Sequence, residues 1–234
     1  MVEAVVDNVG TDGDWVSLQV DDEGLAALES SDLVSSVSPN HEITLALDQS
    51  VPAVGAATTP ALGFDGTGTT VVIVDTGVDA THPALAGSIV AEACFESSID
   101  LTCPGGATSS TAPGSGAPCD VMAAAECGHG THVAGIVAGR ASPRGVAPGA
   151  GIVSVRIFRA GPGGQAFARP DDLTLAMEWV RDNHAAWGAV AVNLSLGFEV
   201  SPFSGSCDFF AAPLVAAMSD LRAAGVASIV ASGN

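Results

Sequence analysis

Four short stretches hold residues whose types and spacing could do chemistry. "VVIVDTGVDATHPAL" delivers Asp75 directly after an apolar run, where a carboxylate can be held rigidly in a dry site. "CGHGTHVAGIVAG" carries His129 and His132 and then runs on in small residues, with Gly130, Ala134 and Gly135 suited to close packing of a helix on a sheet. The two imidazoles are spaced i,i+3 with no glutamate between them, which does not meet the i,i+4 requirement of a helical zinc site. At a helix N-terminus His129 is expected to stay neutral, which suits a general base, while His132 reads as a structural imidazole. "VNLSLGF" ends on Ser195, Leu196 and Gly197, either a core strand leaving a sheet or a backbone edge that pairs with an extended peptide. "VASIVASGN" narrows from Val and Ile to a small-residue turn that presents the Asn234 amide at its tip.

The elements that must position these residues fall into two groups. Residues 13–40 look self-contained. Trp15 to Val20 alternates like a half-buried strand, Asp21 and Asp22 can cap a short helix carrying Leu25 and Leu28, and Leu33 to Val37 reads as a second strand. From about His41 to Thr70 the chain is linker-like, with scattered Pro and Gly. Beyond it the elements alternate. Val71–Val74 is a strand covered on both faces, Gly130–Gly139 a helix, Ile152–Phe158 a strand. Pro170 opens a helix to about Asn183 with Asp171 and Asp172 at its positive end, Val190–Leu196 is a strand, Ala211–Ala224 a helix and Val226–Ala231 a strand. Strand, helix, strand, helix, strand predicts an α/β fold with a parallel, doubly wound sheet, preceded by a small α+β segment. Function in such sheets gathers past the carboxyl ends of the strands, which directs attention to Asp75, His129, Ser195 and Asn234. Gly66-Thr67-Gly68 is not a dinucleotide loop, because it precedes its strand.

Composition narrows the partners. The net charge of -19 arises from 26 acidic residues against only seven basic ones, all Arg, and no block of like charges occurs. A basic patch for nucleic acid or an anionic membrane is excluded, and no apolar run reaches the roughly 18 residues a membrane span needs. The opening MVEAVVDN lacks the basic and apolar regions of a signal peptide, so a signal would lie upstream. Cys94, Cys103, Cys119 and Cys127 fall in a stretch rich in Gly, Ser, Pro and Thr, as local disulfides or a metal site would. No C-x-x-C spacing supports zinc, so two local disulfides and an oxidising compartment are expected. Cys207 stands apart, as a small buried hydrophobe or as a thiol whose partner lies elsewhere.

Asp75 in Val-Asp-Thr-Gly-Val-Asp, His129 in His-Gly-Thr-His-Val-Ala-Gly, Ser-Leu-Gly at 195–197 and Gly-Asn at 233–234 occur in one order. From about residue 50 onward this resembles the subtilisin-like serine proteases of peptidase family S8, including "GVAPGA" at 145–150. The resemblance implies an endopeptidase in which Asp75 orients His129, His129 takes the proton of a serine hydroxyl, and Asn234 donates to the oxyanion. Such an amide contributes about 2.7–4 kcal/mol of transition-state stabilisation, a figure established on subtilisin itself. By the same resemblance Ser195, Leu196 and Gly197 form one substrate-binding edge, and Gly163 and Gly164, within Gly161–Gln165, belong to a second. The family's Gly-Thr-Ser-Met-Ala type nucleophile motif is absent, and "GATSSTAPG" at 106–114 lies in a loop in the wrong place, so this chain by itself is expected to be inactive. Residues 1–45 resemble part of an inhibitory propeptide and 46–234 the N-terminal part of the catalytic domain, which implies a zymogen cut between Asn40 and Gly55. The implied partners are a peptide or protein substrate and the chain's own propeptide, and the implied location is extracellular. Cys207 would pair with a cysteine beyond Asn234. No cofactor is implied. Calcium sites occur in the family, but Ala84 follows His82-Pro83 and "RASPRGVAP" is short, so none is assigned here.

Two other readings compete. A strand followed by Asp also marks receiver domains, phosphatases and metal sites, and Asp-Thr-Gly marks aspartic proteases. The latter need two such units sharing a proton; this chain has one, so a dimer would be required, and the parallel α/β pattern argues against it. A peptide-binding pseudoprotease or propeptide-type inhibitor would keep the Ser195–Gly197 edge and have no use for Asp75, His129 and Asn234 together. A sheet that stops at its last predicted strand leaves an open edge, from which self-association is expected.

Overall fold

The computed structural model describes residues 5–9, 16–34, 37, 51, 53–97, 102–197 and 212–231. The chain divides into two compact units, Met1–Leu45 and Ala46–Asn234. In the first, β1 (Val5–Val9) pairs antiparallel with β2 (Val16–Gln19), with a bulge between Val6 and Asn8. Then follows α1 (Asp22–Glu29), whose Asp21 cap accepts the Gly24 N–H at 2.8 Å. The strand expected over Leu33–Val37 is not present at its start. Leu33 and Val34 form a turn closed by Val34 N–H onto the Ser31 carbonyl, with the Ser31 hydroxyl accepting the Leu33 N–H. A serine that bonds the local backbone competes with strand pairing.

The second unit is built on a six-stranded sheet in the order β10-β9-β3-β6-β4-β5. β3 (Thr70–Asp75), β4 (Ile89–Phe95), β6 (Gly151–Arg156), β9 (Ala189–Leu194) and β10 (Ala227–Val230) run parallel, and short β5 (Ser109–Ser110) pairs antiparallel with β4. One face is covered by α2 (His129–Ala138), the other by α3 (Pro170–Trp187) and α4 (Ala212–Ala223). This is the doubly wound α/β arrangement expected, with one antiparallel edge strand added.

Side chains alternate across a strand, and β3 shows what that does. Val72 and Val74 enter the core beneath α3 and α4, together with Val153, Val155, Met177 and Leu221, while Ile73 enters the core beneath α2 with Val133, Ala134 and Ile152. Asp75 is two residues beyond Ile73 and so emerges on the α2 face. Burying a Val, Ile, Leu or Met side chain contributes about 1.5–3 kcal/mol each, so packing on both faces fixes β3 between β9 and β6.

Two elements differ from expectation. Cys94, in a stretch whose Gly, Ser, Pro and Thr content reads as a loop, lies in β4, paired between Arg156 and Ser110. Glu92 interrupts that strand's apolar pattern, and its carboxylate is taken up by the Gly114 N–H at 2.7 Å. α3 continues one turn past Asn183 to Trp187, where Gly188 supplies the left-handed residue (φ 63°) that ends it. The added turn brings Trp187 against Trp179, with ring centroids 4.6 Å apart.

Candidate active site

Asp75 is the last residue of β3 and is 1% exposed. Its Oδ1 accepts the Thr76 N–H at 2.7 Å. Both carboxylate oxygens lie 2.9 Å from Nδ1 of His129, the first residue of α2. A carboxylate oxygen accepts, so Nδ1 carries the hydrogen and Nε2 presents its lone pair. The imidazole side chain is 46% exposed, open to a reactant while its partner is dry. Gly130 permits this approach: a Cβ there would meet the Gly77 carbonyl oxygen at 2.4 Å and the Asp75 Cβ at 3.1 Å. Gly135 has no such role, since a Cβ there would find open space.

A helix N-terminus taken alone would lower the His129 pKa, but the observed influence has the opposite sign. That pKa is raised, because the Asp75 hydrogen bond, helped by the Asp75 and Glu126 charges, outweighs the effect of partial burial. A carboxylate in direct contact is a stronger influence than half a charge spread over a helix end. His132, read as a structural imidazole, is exposed on the surface of α2.

A cleft of about 350 Å³ has Glu126, three residues before His129, on its wall. Its other walls are Ile157 and Phe158 after β6, Gln165 to Pro170, Leu173 of α3, and Leu196 with Gly197 beyond β9. Ser195 lies just before these, its hydroxyl accepting from the Asn193 amide at 2.8 Å. The second edge expected over Gly161–Gln165 is not extended. It is the turn of a hairpin between β7 (Arg159–Ala160) and β8 (Ala166–Phe167), with Gly163 and Gly164 at φ 80° and 79°. The Gly161 N–H closes it onto the Gln165 carbonyl at 2.8 Å, and Glu126 anchors it by accepting the Ala166 N–H at 2.7 Å. Adjacent glycines that both adopt φ > 0 favour such a turn over a strand. Asn234 and Cys207 lie outside the described residues.

The sequence profile of the subtilase family, peptidase S8, matches residues 66–234, which include every residue of this site. The chain belongs to the subtilase family. The alkaline protease of Shouchella clausii is 31% identical over 226 residues, covering 94% of this chain and 48% of its own. Fervidolysin of Fervidobacterium pennivorans is 36% identical over 137 residues, 56% of this chain and 17% of its own. A solved psychrophilic protease, S41, shares the fold with a TM-score of 0.51 at 24% identity, over 73% of this chain and 47% of its own. This subtilase spans half or less of the length of these relatives.

Two features of this subtilase lay beyond sequence reasoning. The four clustered cysteines form disulfides, as expected, but their pairing, Cys94–Cys103 and Cys119–Cys127, comes from the structure. A buried polar cluster also supports the hairpin. Glu96, 2% exposed, accepts from Arg159 at 2.7 Å and from the Thr102 hydroxyl at 2.9 Å, while Arg156 donates to Cys94 Sγ and the Thr102 carbonyl. Burial lowers the Arg156 pKa. Among the described residues no group of three or more His, Cys, Asp or Glu is placed to hold a metal ion, and no helix is long and apolar enough to cross a membrane.

Proposed function

We propose that this subtilase is the Asp- and His-bearing part of a secreted serine endopeptidase. The observation that carries the reading is His129 Nδ1 at 2.9 Å from both oxygens of a buried Asp75, with the imidazole open to solvent. In that arrangement His129 Nε2 takes the proton of a serine hydroxyl as it attacks a peptide carbonyl, Asp75 stabilises the imidazolium, and the proton passes to the leaving amine. The cleft beside Glu126, with Leu196 and Gly197 on one wall, takes the substrate chain. Asn234 is assigned to the oxyanion from its sequence motif alone. No Gly-Thr-Ser-Met-Ala type motif occurs in the 234 residues, so this chain is proposed to hold substrate-binding and acid–base machinery without the nucleophile.

Residues 1–45 are proposed to be propeptide. The 94% alignment with the S. clausii protease must reach into the first unit, so this segment too is similar to part of a protease chain. Two disulfides support an oxidising, extracellular location, as do relatives named a minor extracellular protease of Bacillus subtilis and an extracellular serine proteinase of a Thermus strain.

The test is to read the coding sequence past Asn234 and assay the encoded protein with a serine-reactive fluorophosphonate. A Gly-Thr-Ser motif opening a helix, with peptidase turnover reduced by His129→Ala by roughly a million-fold in kcat, a size known from subtilisin itself, is the expected result. A stop codon after Asn234, or turnover blocked by pepstatin and indifferent to His129→Ala, would sink the reading.

A further inference from the structure

Asp75 and His129 sit on different elements, 54 residues apart, yet must meet within tenths of an ångström. Thr76 lies where these elements cross, and it is 3% exposed. Its N–H donates to Asp75 Oδ1 at 2.7 Å, and its carbonyl accepts the Cys119 N–H at 3.0 Å. Its hydroxyl donates to the Cys127 carbonyl at 3.0 Å and accepts the Gly130 N–H at 2.9 Å. That N–H belongs to the first turn of α2, where amides have no partner inside the helix, and Gly128 offers no side-chain cap. Thr76 therefore caps the His129 helix from the neighbouring strand. A hydroxyl can aim a lone pair at Gly130 because its hydrogen is committed to Cys127. Cys127 is in turn bonded to Cys119, whose N–H binds Thr76, so two hydrogen bonds and one disulfide close a ring through this residue. Thr131 adds a reciprocal tie, its hydroxyl accepting the Asp79 N–H at 2.9 Å.

We infer that Thr76 is a positioning residue for the Asp75–His129 pair and that the Cys119–Cys127 disulfide acts through it to hold the start of α2 against the end of β3. This rests on the reading of Asp75 and His129 as the working pair, but its test needs no turnover. The charged groups acting on the His129 imidazole are Asp75 and Glu126. A hydroxyl that merely stabilised the fold would change the melting temperature and leave the imidazole titration alone. One that positions the pair sets how well Nδ1 meets the carboxylate, and so sets that titration.

The experiment is NMR titration of the His129 ring protons in the 234-residue chain. Thr76→Val is expected to move the His129 midpoint down toward the 6.5 of a free imidazole, while Thr76→Ser keeps the parent value. The double variant Cys119→Ala, Cys127→Ala, with Thr76 intact, is expected to shift His129 in the same direction. A folded Thr76→Val protein with the parent midpoint overturns the inference. Should that variant fail to fold, an unshifted midpoint in the double cysteine variant does so. If the titrations behave as expected but the encoded protein proves inactive in the fluorophosphonate assay, the functional reading fails and this one stands.

Discussion

His129 gains its raised pKa from a bond that exists only in the folded state, which gives the pair a pH signature of known sign. A group whose folded pKa lies above its unfolded value binds its proton more tightly when native. The stabilisation is complete below pH 6.5, fades as pH rises through the folded midpoint and is gone above it. The difference in denaturation midpoint between the parent and His129→Ala should therefore shrink as pH rises through that window; a difference that is constant or grows would contradict the Asp75 contact. In the encoded protein the neutral imidazole is the active base, so the acid limb of kcat/KM should lie above pH 6.5 for the same reason. At this scale Asp75 and His129 were legible because each is announced by its neighbours, an apolar strand before one and a small-residue helix after the other. Thr76 and Glu126 were not, because a hydroxyl that caps a distant helix and a carboxylate that accepts a hairpin N–H look locally like ordinary turn and surface residues.

At the scale of elements, the hairpin of β7 and β8 is pinned at its base by Glu96, a nearly inaccessible carboxylate within the Cys94–Cys103 disulfide loop. Glu96 accepts from both Arg159 and the Thr102 hydroxyl, and hydrogen bonds to a charged group are the stronger ones. Glu96→Gln is expected to lower unfolding stability by about 1.5–3 kcal/mol. Hydrogen exchange at the Gly161 and Ala166 amides should quicken well before that of β3. A change under 0.5 kcal/mol with unaltered exchange would show that Glu96 does not pin the hairpin. The hairpin was misread as an extended edge and β4 was hidden in a loop for one underlying reason. Both depend on a carboxylate that accepts a distant backbone N–H, Glu126 from Ala166 for one and Glu92 from Gly114 for the other.

The whole molecule places β10 at an edge of the sheet among the described residues, with Ile229 and Val230 55% and 52% exposed. An edge strand with open backbone groups and apolar side chains is a template for pairing. Sedimentation of the 234-residue chain is expected to show concentration-dependent association that Ile229→Lys suppresses; a monomer unchanged by concentration would refute this. What the sequence by itself determined is everything carried by local pattern: the alternation of strands and helices, a carboxylate at a strand end, an imidazole at a helix start, and the order of motifs that marks a subtilase. Those signals are local because side-chain direction repeats every two residues in a strand and every 3.6 in a helix. Only the tertiary structure decided that Asp75 meets His129, which cysteines pair, and that Thr76 ties the two elements together. Such meetings depend on strand order and on the face each crossover takes, so residues 54 apart come within 2.9 Å only once β3 lies at the centre of the sheet and α2 has packed through Gly130.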